Sequence, residues 1–166
     1  MSLLGLIGDA VWFILPAYVA NASPVVLGGG RPIDGGRRLA DGRPIFGSGK
    51  TIRGFLGGLL AGTAVGGIQA AVSGSVILLF AGFLLSLGAL FGDLLGSFIK
   101  RRMGLERGKS APLLDQLGFL LFAVLFALPV RTPSLQIFLI LLAITPAVHL
   151  AANCLAYIAG LKEKPY

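Results

Sequence analysis

Between Gly54 and Gly92 the chain runs for 39 residues without an Asp, Glu, Lys or Arg. As a helix rising 1.5 Å per residue, such a run is about 58 Å long, roughly two crossings of a bilayer core. A soluble globule has no place for it. The composition agrees: 55% of residues are hydrophobic and 13% charged, where soluble domains carry about 25% charge. That argues equally against a disordered chain, and the single Cys154 leaves neither an intrachain disulfide nor a thiolate metal cluster. The apolar runs are continuous rather than alternating with period two, which argues against a β-barrel.

The small polar residues of Val72-Ser73-Gly74-Ser75-Val76 suit a turn. They divide the run into a predicted helical hairpin, Phe55–Val72 and Val76–Ile99. Leu135–Leu161 is a further uncharged run between Pro133 and Lys162, and Leu113–Val130 is a shorter one with Asp115 at its start. Leu3–Val19 reads as the first span, ended by Pro16 and the breaker cluster Asn21-Ala22-Ser23-Pro24. No basic region precedes this span and Asp9 interrupts it, so it does not read as a cleavable leader despite Ala20-Asn21-Ala22. The expectation is an all-α integral membrane protein: one domain, residues 1–166, five transmembrane helices and a long loop between spans 1 and 2.

Charge orients these spans. Arg31, Arg37, Arg38, Arg43, Lys50 and Arg53 fall in the first loop. Lys100, Arg101, Arg102, Arg107 and Lys109 fall in the third, and Lys162 and Lys164 in the C-terminal tail. Thirteen of the 14 basic residues thus share one face, with Arg131 alone on the other. The positive-inside rule makes that face cytoplasmic, with the N-terminus outside and the C-terminus inside. In a membrane protein the net charge of +7 points to anionic lipid surfaces and phosphate ligands rather than to nucleic acid.

Gly54, Gly58, Gly62 and Gly66 recur every four residues, as do Gly88, Gly92 and Gly96. Such ridges let helices approach closely, or form a groove for a lipid tail. Asp93 lies on the third span seven residues before Lys100, roughly 10 Å inside the cytoplasmic boundary. An acid there must face an interior, pair with a cation or bind a metal. Pairing with Lys100 is one reading, and Ser97 lies along the same helical face. Asp115 opens the next span at the same side, and two carboxylates amid basic residues suit Mg²⁺, a hard cation that takes oxygen ligands.

The first loop ends in Pro44-Ile45-Phe46-Gly47-Ser48-Gly49-Lys50-Thr51-Ile52-Arg53. It lacks the first glycine of a Walker motif, but glycine-rich backbone N–H groups with Lys50 and Arg53 suit a polyphosphate; an ordinary basic loop is the plainer reading. Thr145, His149, Asn153 and Tyr157 form a polar stripe on the last span, expected to face the bundle. Asn153 is placed to reach a headgroup, and His149 reads as a packing residue.

Gly92-Asp93-Leu94-Leu95-Gly96-Ser97-Phe98-Ile99-Lys100-Arg101-Arg102-Met103-Gly104, followed by Lys109-Ser110-Ala111-Pro112-Leu113-Leu114-Asp115-Gln116, resembles the signature of CTP-dependent phosphatidate cytidylyltransferases. The chain lacks that family's His-Gly-Gly element and its second acid after Leu-Asp, and it is much shorter. It is more similar to the related archaeal CDP-archaeol synthase family. Asn21-Ala22-Ser23-Pro24, the region of Asp34 and Asp41, Gly47 to Gly54 and the Asp93–Asp115 block all look like that family's motifs.

The resemblance implies Mg²⁺-dependent transfer of CMP from CTP to 2,3-di-O-geranylgeranylglyceryl phosphate, releasing pyrophosphate, at a cytoplasm-facing site in the cell membrane. It also implies roles. Asp93 and Asp115 would hold the metal. Lys50, Thr51, Arg53, Lys100, Arg101 and Lys109 would bind phosphates, and Ser97 and Ser110 would supply hydrogen bonds. Asn21 and Asn153 would orient loop and substrate. A small transporter or channel with an intramembrane acid, and a noncatalytic membrane subunit, are the competing readings. A CDP-alcohol phosphotransferase would need an Asp-Gly-x-x-Ala-Arg element that Asp34-Gly35 and Asp41-Gly42 do not continue. The sequence leaves open whether copies associate as a homo-oligomer.

Overall fold

The computed structural model describes residues 2–106, 108–109 and 111–162. Six helices follow in order: α1 (Leu3–Ala22), the single turn α2 (Pro24–Leu27), α3 (Ile52–Ser73), α4 (Ile77–Arg102), α5 (Pro112–Ala127) and α6 (Leu135–Ile158). Four segments are long and apolar enough to cross a membrane: Leu3–Leu27, Ile52–Ser73, Ile77–Arg102 and Leu135–Ile158. The fifth apolar helix, α5, has 16 residues, about 24 Å of rise. Among the described residues there is no named strand, only the isolated bridges Pro32–Thr51 and Arg38–Pro44 in the first loop.

Pro16 does not end the first helix as the sequence suggested; it lies inside α1 with its side chain buried. A proline here takes away the N–H that the carbonyl of Trp12 would accept. The Gln69 side chain, 2% exposed on α3, donates to that carbonyl at 2.6 Å. In an apolar setting an orphaned carbonyl is costly, and a neighbouring helix removes the cost. The predicted turn between the hairpin helices does occur. Gly74 adopts φ +63° and closes α3, while Ser75 N–H bonds back to Ala70 O at 3.1 Å.

The glycine ridges pack helices, as one of the two readings held. Gly54, Gly58, Gly62 and Gly66 are all buried on α3. A Cβ at Gly62 would lie 2.1 Å from Ser86 Oγ and 2.5 Å from Pro16 O; one at Gly66 would lie 2.8 Å from Gly82 Cα. Across α4 the same device receives α5: a Cβ at Gly88 would sit 2.3 Å from Phe122 O, and one at Gly92 2.7 Å from Gly118 O. Close backbone approach is what small residues give a membrane bundle. α4 is therefore the central helix, with α3 and α1 on one flank and α5 on the other. The core is Phe13, Ile14 and Ala17 of α1 with Leu85 and Ala89 of α4, Leu120 and Ala123 of α5, and Leu141 of α6.

Candidate active site

The C-terminal end of α4 and the N-terminal end of α5 meet the first loop, and the site forms there. Lys100, Arg101 and Arg102 occupy the last turn of α4, where cations complement the helix dipole. Pro112 opens α5, and Asp115 reaches back from its first turn so that Oδ2 accepts from Ala111 N–H at 2.9 Å. The other oxygen, Oδ1, pairs with Lys100 Nζ at 2.7 Å. Asp93, about two and a half turns before the α4 terminus, pairs with Lys50 Nζ at 2.5 Å. The suggested Asp93–Lys100 pairing is thus not formed. Both aspartates have a lysine, but each lysine comes from a different element than its partner.

The loop is shaped to deliver Lys50. Asp34 is buried, and its carboxylate accepts backbone N–H bonds from Gly36, Phe46 and Gly47 at 2.9, 2.9 and 3.0 Å. Burial raises the Asp34 pKa, and the backbone donors more than offset that, so it lies below the ordinary carboxylate value. Gly47 turns at φ +93°, and Lys50 N–H closes a turn onto Gly47 O at 3.2 Å. Thr51 then caps α3, its Oγ1 accepting from Gly54 N–H at 3.1 Å. A second set of contacts clamps the loop to α4. Arg102 donates to Asp41 Oδ2 at 2.5 Å and to the carbonyl of Pro44, and Arg43 donates to the carbonyl of Arg102. The Arg43 N–H bond and Arg102 hold the Asp41 carboxyl below its usual range.

The predicted residues therefore divide. Asp93, Asp115, Lys50 and Lys100 come together. Ser97 is buried one turn from Asp93 on α4. Arg101 donates to Phe46 O at 3.3 Å and Leu105 O at 2.5 Å, so it fastens the loop. Thr51 serves the start of α3. Arg53 and Lys109 are exposed, and Asn21 is half-buried at the end of α1. Ser110, Arg107 and Lys164 lie outside the described residues. Of the polar stripe, Thr145 is buried and bonds the Tyr18 hydroxyl at 2.7 Å, whereas Tyr157 is 48% exposed and does not face the bundle.

Three participants were not assigned from sequence. Asp34 organises the loop from 59 positions before Asp93, and no motif announces a carboxylate that binds backbone. Lys162, beyond the end of α6, donates to Asn153 Oδ1 at 2.8 Å. It lies in the field of Asp115, Lys50, Lys100 and Asp93, and burial pushes its ammonium pKa below the usual lysine value. His149 lies in the field of Asp115, Asp93, Lys100 and Lys162 and stacks on Phe119 at 6.1 Å. A uniform polar period along α6 was the available signal, but it does not distinguish Tyr157 from His149.

Known proteins resemble this chain over nearly its whole length. The family profile described as CarS-like, CDP-archaeol synthase, matches residues 3–166. A CDP-archaeol synthase of Thermococcus onnurineus is 54% identical over 173 aligned residues, covering 100% of both chains. That of Thermococcus gammatolerans is 58% identical, covering 95% of both. A solved structure, described as an intramembrane enzyme for archaeal membrane lipids biosynthesis, superposes with a TM-score of 0.83 at 47% identity. It covers 89% of this chain and 94% of that one.

Proposed function

The chain belongs to the CDP-archaeol synthase family, and from that premise we propose how its residues carry out the reaction. It is a multi-pass membrane enzyme that transfers a cytidylyl group from CTP in archaeal lipid synthesis. The acceptor we assign is 2,3-di-O-geranylgeranylglyceryl phosphate, and the metal Mg²⁺.

One observation carries the assignment of the site. Two carboxylates on neighbouring helices and lysines from three different elements converge at one end of the bundle. The donor set fits the cation. Asp93 and Asp115 offer hard carboxylate oxygens. Among the described residues no group of three or more His, Cys, Asp or Glu is placed to hold a metal ion, so waters and substrate phosphates would have to complete the shell of a cation held by these two carboxylates. When bound between Asp93 and Asp115, Mg²⁺ would neutralise and polarise the triphosphate.

The protein's own groups do the rest. Lys50 and Lys100 neutralise the aspartates when substrate is absent. With substrate bound they turn to the triphosphate, joined by Arg53 and Lys109 from the exposed rim. An oxygen of the lipid phosphate attacks the α-phosphorus of CTP, the new P–O bond forms, and the bond to the β-phosphate's bridging oxygen breaks. Pyrophosphate leaves with that electron pair. The acceptor is already anionic, so no strong general base is required, and catalysis is positioning and charge neutralisation. Asp34 contributes by fixing the turn that aims Lys50, and Ser97 supplies a hydrogen bond beside Asp93.

The site faces the cytoplasm in this account. Lys50, Lys100 and Lys162 share one end of the bundle, whereas Arg131 lies in the field of Asp9 and over the Phe13 ring at 5.3 Å. This arrangement supports α5 as a fifth crossing, an external N-terminus and a cell-membrane location. The reaction is tested with CTP labelled at the α-phosphate. Purified protein with Mg²⁺ and the lipid phosphate should move label into the organic phase and release equimolar pyrophosphate. Solute flux in proteoliposomes without CTP, and no labelled lipid, would support the transporter reading instead.

A further inference from the structure

Away from the paired aspartates and lysines, the first loop encloses a cavity of about 550 Å³, a volume typical of ligand sites. Ile33, Ile45, Phe46 and Ile52 form its apolar wall, and Arg31 and Arg37 bring two guanidinium groups to it. None of Lys50, Asp93, Lys100 and Asp115 lines it, so it is separate from the site described above.

These two arginines differ from their neighbours in the loop. Arg38 donates to Gly42 O, and Arg43 to the carbonyl of Arg102. Arg31 and Arg37 hold the loop by backbone groups instead: Ile52 N–H donates to Arg31 O at 3.1 Å, Arg37 N–H to Asp34 O at 3.0 Å, and Ile45 N–H to Arg37 O at 3.2 Å. Both residues are exposed, and among the described residues their side chains make no hydrogen bond or ion pair. Asp34 is the acid of the lining, and three backbone N–H groups already answer its carboxylate. The cavity is therefore net positive, and a planar guanidinium presents paired donors that match a phosphate.

Its place in the fold says what kind of phosphate. Ile52 is the first residue of α3, a helix long and apolar enough to cross a membrane. Its side chain is exposed, and Leu56 and Leu60 follow it at one-turn intervals, also exposed. An uncovered apolar stripe thus runs from the cavity wall down the span. In a bilayer lipid chains cover that stripe, and the head of a lipid lying on it comes level with Ile52, at the two guanidinium groups. The cytoplasmic leaflet supplies anionic heads.

We propose that this cavity is an accessory site for the phosphate of an anionic bilayer lipid, held by Arg31 and Arg37. Its walls belong to the turn that delivers Lys50: Ile33 N–H donates to Lys50 O at 2.8 Å, and Phe46 N–H to Asp34 Oδ2 at 2.9 Å. A bound head group steadies that loop from outside the reaction site.

Thermal unfolding of the full chain in a neutral detergent tests this without turnover, so it succeeds or fails independently of the cytidylyltransferase reading. Short-chain phosphatidylglycerol at ten times its dissociation constant should raise the wild-type Tm by about 3–6 °C. Phosphatidylcholine of the same chain length and inorganic phosphate should each give a much smaller shift. With Arg31→Gln and Arg37→Gln combined, the phosphatidylglycerol shift should fall to that of phosphatidylcholine, and each single substitution should give an intermediate value. An undiminished shift in the double variant would overturn the proposal and place the lipid elsewhere on the basic face. Equal wild-type shifts from the two phospholipids would overturn it by showing that head charge is irrelevant, and an equal shift from inorganic phosphate would make the cavity a free-anion site. A raised KM for 2,3-di-O-geranylgeranylglyceryl phosphate in the double variant would also overturn it, by giving the cavity to the acceptor.

Discussion

Asp34 shows how one buried carboxylate shapes a site that it does not enter. Its three backbone donors pull residues 46 and 47 onto residue 34, and the chain then turns so that Lys50 meets Asp93. Its pKa lies below the unfolded value, so its contribution to stability is complete above the ordinary carboxylate range, near pH 4. It is lost as pH falls through the depressed native value. Asp34→Asn keeps the size but loses the charge-assisted bonds and should cost about 2 kcal/mol. The Tm difference from wild type should be constant near neutral pH and shrink on acidification below that range. An undiminished difference at low pH would show that the charge is irrelevant. None of this was legible in the sequence, where Asp34 is one acid in a glycine-rich loop. Asp93 and Asp115 were legible, because an acid in or at the edge of an apolar helix is costly enough to need a reason.

Among the elements, α4 sets the geometry because both of its glycine-lined faces are occupied. A Cβ at Gly88 would meet the α5 backbone at 2.3 Å, whereas one at Gly96 would find Leu114 Cγ at 3.7 Å, an ordinary contact. Gly88→Ala should therefore destabilise the detergent-solubilised protein by about 1–3 kcal/mol. Gly96→Ala should be neutral or slightly stabilising, since alanine favours helix. Thermal unfolding of the two variants side by side checks this; equal Tm values would mean that α4 and α5 do not pack through the ridge. The period-four glycines announced a close approach and left open whether a helix or a lipid tail fills it; the structure fills it with helices. Pro16 misled because the sequence cannot show that Gln69, on another helix, satisfies the Trp12 carbonyl. Lys100 misled likewise: along one helix Asp93 was its natural partner, and only the α4–α5 approach brings Asp115 within 2.7 Å.

At the scale of the whole molecule, the charge asymmetry and the bundle agree. The helices alternate so that the first loop, the α4–α5 connection and Lys162 share one end, while Arg131 and Asp9 share the other. With Cys154 replaced by Ser, Thr132→Cys should react with a membrane-impermeant thiol reagent in right-side-out vesicles. Leu39→Cys should react only after lysis. The reverse pattern would invert the topology and put the site outside. The long apolar helices were readable because long uncharged runs are a constraint that the bilayer itself imposes; the proposed orientation rests on the basic loops by the same logic. The site was readable only as far as its charges. Its loop scaffold and its α6 contribution depend on backbone and side-chain contacts between residues far apart in the chain.

The central claim is that Asp93 and Asp115 together hold the metal-bound nucleotide. It is tested most directly by turnover of Asp93→Asn and Asp115→Asn with labelled CTP and the lipid phosphate, with Tm measured in parallel. Each variant should retain its fold and lose at least about 100-fold in kcat/KM, together with Mg²⁺-dependent CTP binding. Undiminished turnover in both variants would contradict the account.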